Sequence, residues 1–139
     1  MAGLERFIDA QQSVWETALA ELDAGRKQTH WMWFIFPQLA DLGRSERARY
    51  YGIRGLGEAR DYLADPVLSA RLAAATRAVL KHGARPADAI MGSVDAMKLM
   101  SCATLFLAAG GGQGFQDVLD TFYGGQPCVL TQQLLDKSP

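Results

Sequence analysis

Apolar residues recur at helical spacing along almost the whole chain. Leu4, Phe7, Ile8, Val14, Trp15, Ala18, Leu19 and Leu22 form one stripe, and Glu5, Asp9, Glu16 and Glu21 fall outside it, which predicts an amphipathic first helix. Gly25 should end it, because glycine readily takes the left-handed conformation common just past a helix, and Arg26 and Lys27 follow. The next segment, THWMWFIFPQLADL at 29–42, has no polar face before Pro37 and places four large aromatics in six residues, so most of it must be buried. A short strand would fit, but no second strand-like run exists to pair with it, and a lone strand leaves its backbone groups unpaired. A helical turn or two entering Pro37 is therefore expected.

Gly43, Gly52, Gly55 and Gly57 cut the following stretch into short pieces, with helices near Ser45 to Tyr51 and Glu58 to Leu63. Asp65 then caps a long helix with Pro66 at its first position, where the missing N–H would be unpaired in any case. Val67, Leu68, Ala70, Leu72, Ala75, Val79 and Leu80 carry it towards Gly83. Pro86 opens a short helix to Met91, and Ser93 is expected to cap the next, from Val94 to about Ala109. On that helix Ala96, Leu99, Met100, Ala103, Phe106 and Leu107 form an apolar face, while Val94, Asp95, Lys98, Ser101, Cys102, Thr104 and Leu105 lie opposite, so both sides look covered. GGGQG at 110–114 reads as a loop, Phe115 to Tyr123 as a short helix closed by Gly124 and Gly125, and Thr131 as the cap of a last turn from Gln132 to Asp136. The expected fold is all-α: one compact domain over 1–139, of about six to eight short-to-medium helices around one core. Neither a repeat nor a linker marks a second domain.

Composition agrees with that picture. Hydrophobic residues make up 49% and charged residues 21% of 139, which is ordinary globular usage and too apolar for a disordered chain. Glu5, Arg6 and Asp9 interrupt the start, where a secretory signal needs an apolar stretch. Neither Trp31 to Phe36 nor Ala96 to Ala109, broken by Lys98, Ser101 and Thr104, approaches the roughly 20 apolar residues that span a bilayer. A soluble cytoplasmic protein is expected. Cys102 and Cys128 have neither CxxC spacing nor a neighbouring histidine, so both are read as free, and no metal site is expected. Residues 26–60 hold seven Lys or Arg against three acids, +4, while the remainder holds seven against twelve, −5. That asymmetry favours a small anionic ligand near the basic segment and makes nucleic-acid binding unlikely, though solvated surface charge explains it equally.

Several polar groups sit where an apolar residue would be expected or beside the aromatic run. Gln11 lies within the first helix's apolar stripe and must find a hydrogen bond, either to a loop backbone or to a ligand. Lys27 and His30 precede the aromatics and could stand at the mouth of an aromatic-walled pocket, with His30 as acid or base, although a lone histidine is more often a structural hydrogen-bonder. Trp31 and Trp33, two apart, would point about 200° from each other on a helix, so both cannot face one core, and the outward one is a candidate for stacking or for an interface. Lys98 and Ser101 resemble a serine–lysine pair in reversed order, but Lys98 paired with Asp95 is the simpler account. Gln38 completes the set. GGGQG lacks the preceding strand, lysine and hydroxyl of a phosphate-binding loop.

The segments FIDAQ at 7–11, GRKQTHWMWFIFPQL at 25–39, LGRS at 42–45, YGI at 51–53, EARDYLADPVLSARL at 58–72, DAMKLMSCATLF at 95–106 and FQDVLDTFYGG at 115–125 are similar to a family of small bacterial proteins classed as domain of unknown function 1810. The resemblance spans nearly the whole chain and implies a helical fold, but no activity, cofactor or catalytic residue. Members sometimes carry the label "calpastatin", which does not suit this chain, because calpastatins are disordered and these helices are capped and rich in aromatics. Relatives often have serine at the position of Cys102, which argues against an obligatory thiol there.

Two functions remain. In the first, Gln11, Lys27, His30, Trp31, Trp33, Gln38, Lys98 and Ser101 bound a pocket for a planar, anionic, nucleotide-like ligand beside the aromatic run, with His30 and Lys98 as the candidate catalytic groups if turnover occurs. In the second, exposed aromatics and the arginines from Arg44 to Arg54 form a protein-docking or regulatory surface without catalysis. Either is compatible with a monomer or a homodimer.

Overall fold

In a computed structural model that describes residues 3–137, the chain runs through α1 (Glu5–Gln12), α2 (Trp15–Asp23), α3 (Met32–Ile35), a 3-10 turn (Ala40–Leu42), α4 (Glu46–Tyr50), α5 (Leu56–Ala64), α6 (Pro66–Leu80), α7 (Ala87–Met91), α8 (Ser93–Ala108), α9 (Gln113–Tyr123) and α10 (Val129–Lys137). The fold is all-α. Its helices come to ten among the described residues, because the first amphipathic run is cut in two at Ser13 and Val14. The break lets α1 meet α3 and α6 while α2 turns to lie along α6. The apolar stripe reads straight through this bend, so periodicity alone predicts a single helix there.

α6 and α8 organise the rest. Asp65 starts α6 as the sequence suggests: its carboxylate accepts the N–H groups of Val67 at 2.9 Å and Leu68 at 3.0 Å, with Pro66 at the first position. Leu68, Leu72, Ala75 and Val79 are buried along it. α8 is covered on both sides: Ala96, Leu99, Ala103 and Phe106 are buried, and so are Ser101, Cys102, Thr104 and Leu105. α5, α7, α9 and α10 pack around α8, and α9 also closes on α6. Tyr62 and Phe106 meet at 5.2 Å between centroids at the centre of the core.

Two expected caps differ. Ser93 is the first residue of α8 and makes no capping bond, since Gly92, at φ 87°, takes the flanking position. Thr131 lies inside α10 and is buried, because that helix begins two residues earlier.

Strand-type pairing among the described residues is limited to a parallel bridge between Leu39 and Ile53. Ala40 N–H donates to Ile53 O, and Ile53 N–H to Gln38 O, each at 2.8 Å. Gly52 is required there: a Cβ would stand 2.2 Å from Ala40 Cα. Arg6 pins the same region from α1, donating to Tyr50 O at 2.6 Å, to Gly52 O at 2.7 Å, to Glu58 Oε1 at 2.7 Å and to Gly3 O. No helix among the described residues is long and apolar enough to cross a membrane.

Candidate functional site

The loop after α2 carries the first cation. The N–H of Lys27 donates to Ile90 O at 2.8 Å, which ties the loop to α7 and delivers the lysine side chain to the start of α8. There Lys27 Nζ lies 3.0 Å from Asp95 Oδ2, donates to Thr29 O at 2.6 Å and stands 4.9 Å from the centre of the Trp31 ring. Only 8% of its side chain is exposed, so this pair is largely withdrawn from water. The other Asp95 oxygen is 3.7 Å from Lys98 Nζ, one turn along α8. Lys98 Nζ in turn lies 5.4 Å from the centre of the Trp33 ring, and the Arg47 guanidinium, from α4, lies 5.1 Å from the same ring. Trp31, Lys27, Asp95, Lys98, Trp33 and Arg47 thus form one continuous chain of contacts drawn from three distant segments, 27–33, α4 and α8. Lys27, Lys98 and Arg47 against Asp95 leave +2 at its edge.

The aromatic turn is built to present one ring and hide the others. Ile35 N–H donates to Trp31 O at 3.2 Å, closing α3, and Pro37 forces Phe36 out of the helical region to φ −124°, ψ 73°. Trp31, Met32, Phe34, Ile35 and Phe36 are buried, whereas Trp33 is half-buried. Trp31 is fixed further by Glu21, which accepts from Gln28 N–H (2.8 Å), Thr29 N–H (3.0 Å), Thr29 Oγ1 (2.7 Å) and Trp31 Nε1 (2.9 Å). Partial burial pushes the Glu21 carboxyl up, but these four donors outweigh it and hold the group down at about 2.

The remaining sequence-derived residues are placed differently. Gln11 is buried and fully occupied: Nε2 donates to Phe34 O at 2.7 Å and to Tyr62 Oη at 3.1 Å, and Oε1 accepts from Arg71 Nη1 at 3.3 Å. It supports the back of the aromatic turn. Trp31, 1% exposed, has no free face for a ligand. His30 is exposed on the approach to α3, and Gln38 is half-buried, its carbonyl used in the bridge to Ile53. Ser101 Oγ is turned to Met97 O and Cys128 Sγ while Lys98 is turned to Asp95 and Trp33, so the two have different partners. The structure therefore joins Lys27, Trp31, Trp33 and Lys98, and adds Arg47 and Glu21, which sequence reasoning missed. Arg47 had been visible only as one charge in a basic run, and the clasp of Glu21, seven to ten residues ahead of its donors, follows no helical or strand period.

Arg47 also borders an open recess of about 450 Å³ with Glu46, Tyr50 and Tyr51. Glu46 on that rim reduces the local balance to +1. A second recess, about 620 Å³, lies elsewhere, between α6 and the glycine loop leading into α9. Its polar lining is Ser69, Thr76, bonded to Leu72 O, Arg77 and Asp117, bonded to Gln113, and no cation lies over an aromatic ring there among the described residues. No cluster of groups able to hold a metal ion occurs among the described residues.

The sequence model of a family described as "Protein of unknown function (DUF1810)" matches residues 1–135. Among solved structures, the conserved hypothetical protein Rv1873 from Mycobacterium tuberculosis is similar, with a TM-score of 0.94, 43% sequence identity and coverage of 97% of this chain and 97% of that chain. No curated protein matches the chain.

Proposed function

This chain belongs to the DUF1810 family, and we propose that it binds a small, planar, anionic ligand of nucleotide-like chemistry at the open edge of Trp33. The anionic group meets Arg47 and Lys98, and the planar part lies in the recess against Tyr50, which is 60% exposed. One observation carries the reading: Trp33 holds two cations near its ring, and the carboxylate paired with one of them, Asp95, is shared with a third cation. Such prepositioned charge lowers the ordering cost of binding. Lys27 acts through Asp95 as support. His30, exposed and unbonded among the described residues, adds a donor at the periphery, and the reading is one of binding without catalysis.

The same reading takes the protein as cytoplasmic, since its two free thiols suit a reducing compartment. It requires neither a metal nor a polymeric nucleic acid and holds for a monomer or a homodimer.

A thermal-shift titration with nucleoside mono- and diphosphates, and with inorganic phosphate as the minimal anion, tests it. A saturable rise of about 2–5 °C is expected with at least one nucleotide. The rise should disappear in the double variant Arg47→Ala, Lys98→Ala. A flat response to the whole series, or an equal rise in the double variant, removes the site.

A further inference from the structure

Cys128 immediately precedes α10 and is fixed there from both sides. Its N–H donates to Thr104 Oγ1 at 2.8 Å, and its carbonyl accepts from Gln132 N–H at 3.1 Å. Ser101 Oγ, on α8, lies 3.4 Å from Cys128 Sγ and 3.2 Å from Met97 O. Serine has one proton, so it serves the carbonyl or the sulfur at a given moment, and a charged sulfur would claim it. The third residue of α10, Thr131, is wholly buried, and its Oγ1 makes no hydrogen bond of normal geometry. A buried hydroxyl left in that state is uncommon and calls for an explanation.

We propose that Cys128 is a peroxide-reactive thiol, and that the buried Thr131 hydroxyl, together with Ser101, receives the oxygen that the sulfur acquires. The ionised sulfur attacks the terminal oxygen of a hydroperoxide: the S–O bond forms, the O–O bond breaks, and the thiolate becomes a sulfenic acid. Sulfur is oxidised by two electrons, and the peroxide is reduced to hydroxide or alkoxide, which takes a proton from water. The new oxygen stands one bond beyond Sγ and offers the Thr131 hydroxyl an acceptor of ordinary strength, where a neutral sulfur is only a weak one.

The surroundings favour the reactive form. Partial burial pushes the Cys128 thiol up, but the Ser101 and Thr131 hydroxyls and the backbone N–H groups of Thr131 and Leu130 outweigh it, and the net displacement is downward. Cys128 is also partly exposed, so a small oxidant reaches it. Cys102, one residue from Ser101, is an internal control: it is fully buried, and burial drives its thiol up.

The full-length protein is treated with hydrogen peroxide, trapped with dimedone and mapped by mass spectrometry. Labelling is expected at Cys128, absent in Cys128→Ser, with Cys102 unlabelled until the protein is denatured. Thr131→Val should slow the reaction about tenfold at neutral pH and move the midpoint of the pH–alkylation profile upward, whereas Thr131→Ser should retain both. Should Thr131→Val not fold, Ser101→Ala gives the same comparison. A Cys128 that reacts no faster than free cysteine, or a rate unchanged by loss of either hydroxyl, overturns the proposal.

Discussion

Glu21 Oε1 accepts the indole N–H of Trp31 at 2.9 Å, and through that bond α2 determines where the aromatic turn begins. The same carboxylate gathers the backbone of Gln28 and Thr29, so one side chain replaces the regular hydrogen bonding that the loop from Gly25 to His30 lacks.

This makes the acid limb of stability a test of the clasp. The Glu21 carboxyl is depressed from 4.5 to about 2 on folding, so its contribution is fully present above the unfolded value and is lost as pH falls from 4.5 through about 2. Glu21→Gln should flatten denaturant-derived stability over that window. At neutral pH it should cost about 1–2 kcal/mol, a value discounted because the group is only partly buried. Identical pH slopes in the two proteins would show that the clasp is not ionised when it acts.

Gln11 should behave as a structural amide. Its loss leaves Phe34 O and Tyr62 Oη without their donor inside the core, and Gln11→Ala is expected to lower unfolding free energy by about 2–3 kcal/mol. Ligand affinity at the Trp33 edge should be unaffected once the protein is folded. A drop in affinity larger than the drop in stability would place Gln11 in the binding site after all.

Asp95 separates stability from binding. Asp95→Asn removes the carboxylate that Lys27 and Lys98 share, and with Lys27 almost withdrawn from water the fold should lose about 1–3 kcal/mol. The same change frees Lys98 for an incoming anion, so nucleotide affinity measured by calorimetry at low salt should rise several-fold. Weaker binding in that variant would count against Lys98 as a ligand contact.

The buried bridge between Leu39 and Ile53 should be highly sensitive to substitution. Gly52→Ala drives a methyl into Ala40 backbone and is expected to cost more than about 3 kcal/mol, read as a loss of melting temperature. Arg6→Ala takes the cation from Glu58, which keeps only the Arg54 N–H, and leaves the carbonyls of Tyr50 and Gly52 without this donor, so a similar loss of about 3–5 kcal/mol is expected. Gly52→Ala with an unchanged melting temperature would mean that Ala40 moves aside freely.

The parts of the fold legible in the sequence are those whose cause is local. Asp65 with Pro66 and Gly124 in the left-handed region act within a few residues of themselves. The helical turn in the aromatic run was legible too, because Pro37 and the lack of a partner strand are sequence facts. Arg6 was not, since its acceptors lie 44 to 52 residues away and it stands among ordinary surface charges. At the candidate site, the pairing of Lys98 with Asp95 follows from helical spacing, but the arrival of Lys27 at the same carboxylate depends on how α7 holds the loop. Thr131 misled because a threonine ahead of a polar run resembles a cap, and only the packing of α10 on α8 reveals Cys128 in that position.

The coverage of α8 on both faces gives the binding edge two walls of unlike mobility. Lys98 rises from a rod whose residues from Leu99 to Phe106 are almost all buried, so their amides should exchange through global opening. Arg47 rises from α4, five residues long with none buried, whose amides are free to exchange through local fraying. An occupant bridging the two would therefore slow exchange in both walls for different reasons, in α4 by suppressing local fraying and in α8 only by the amount it adds to global stability.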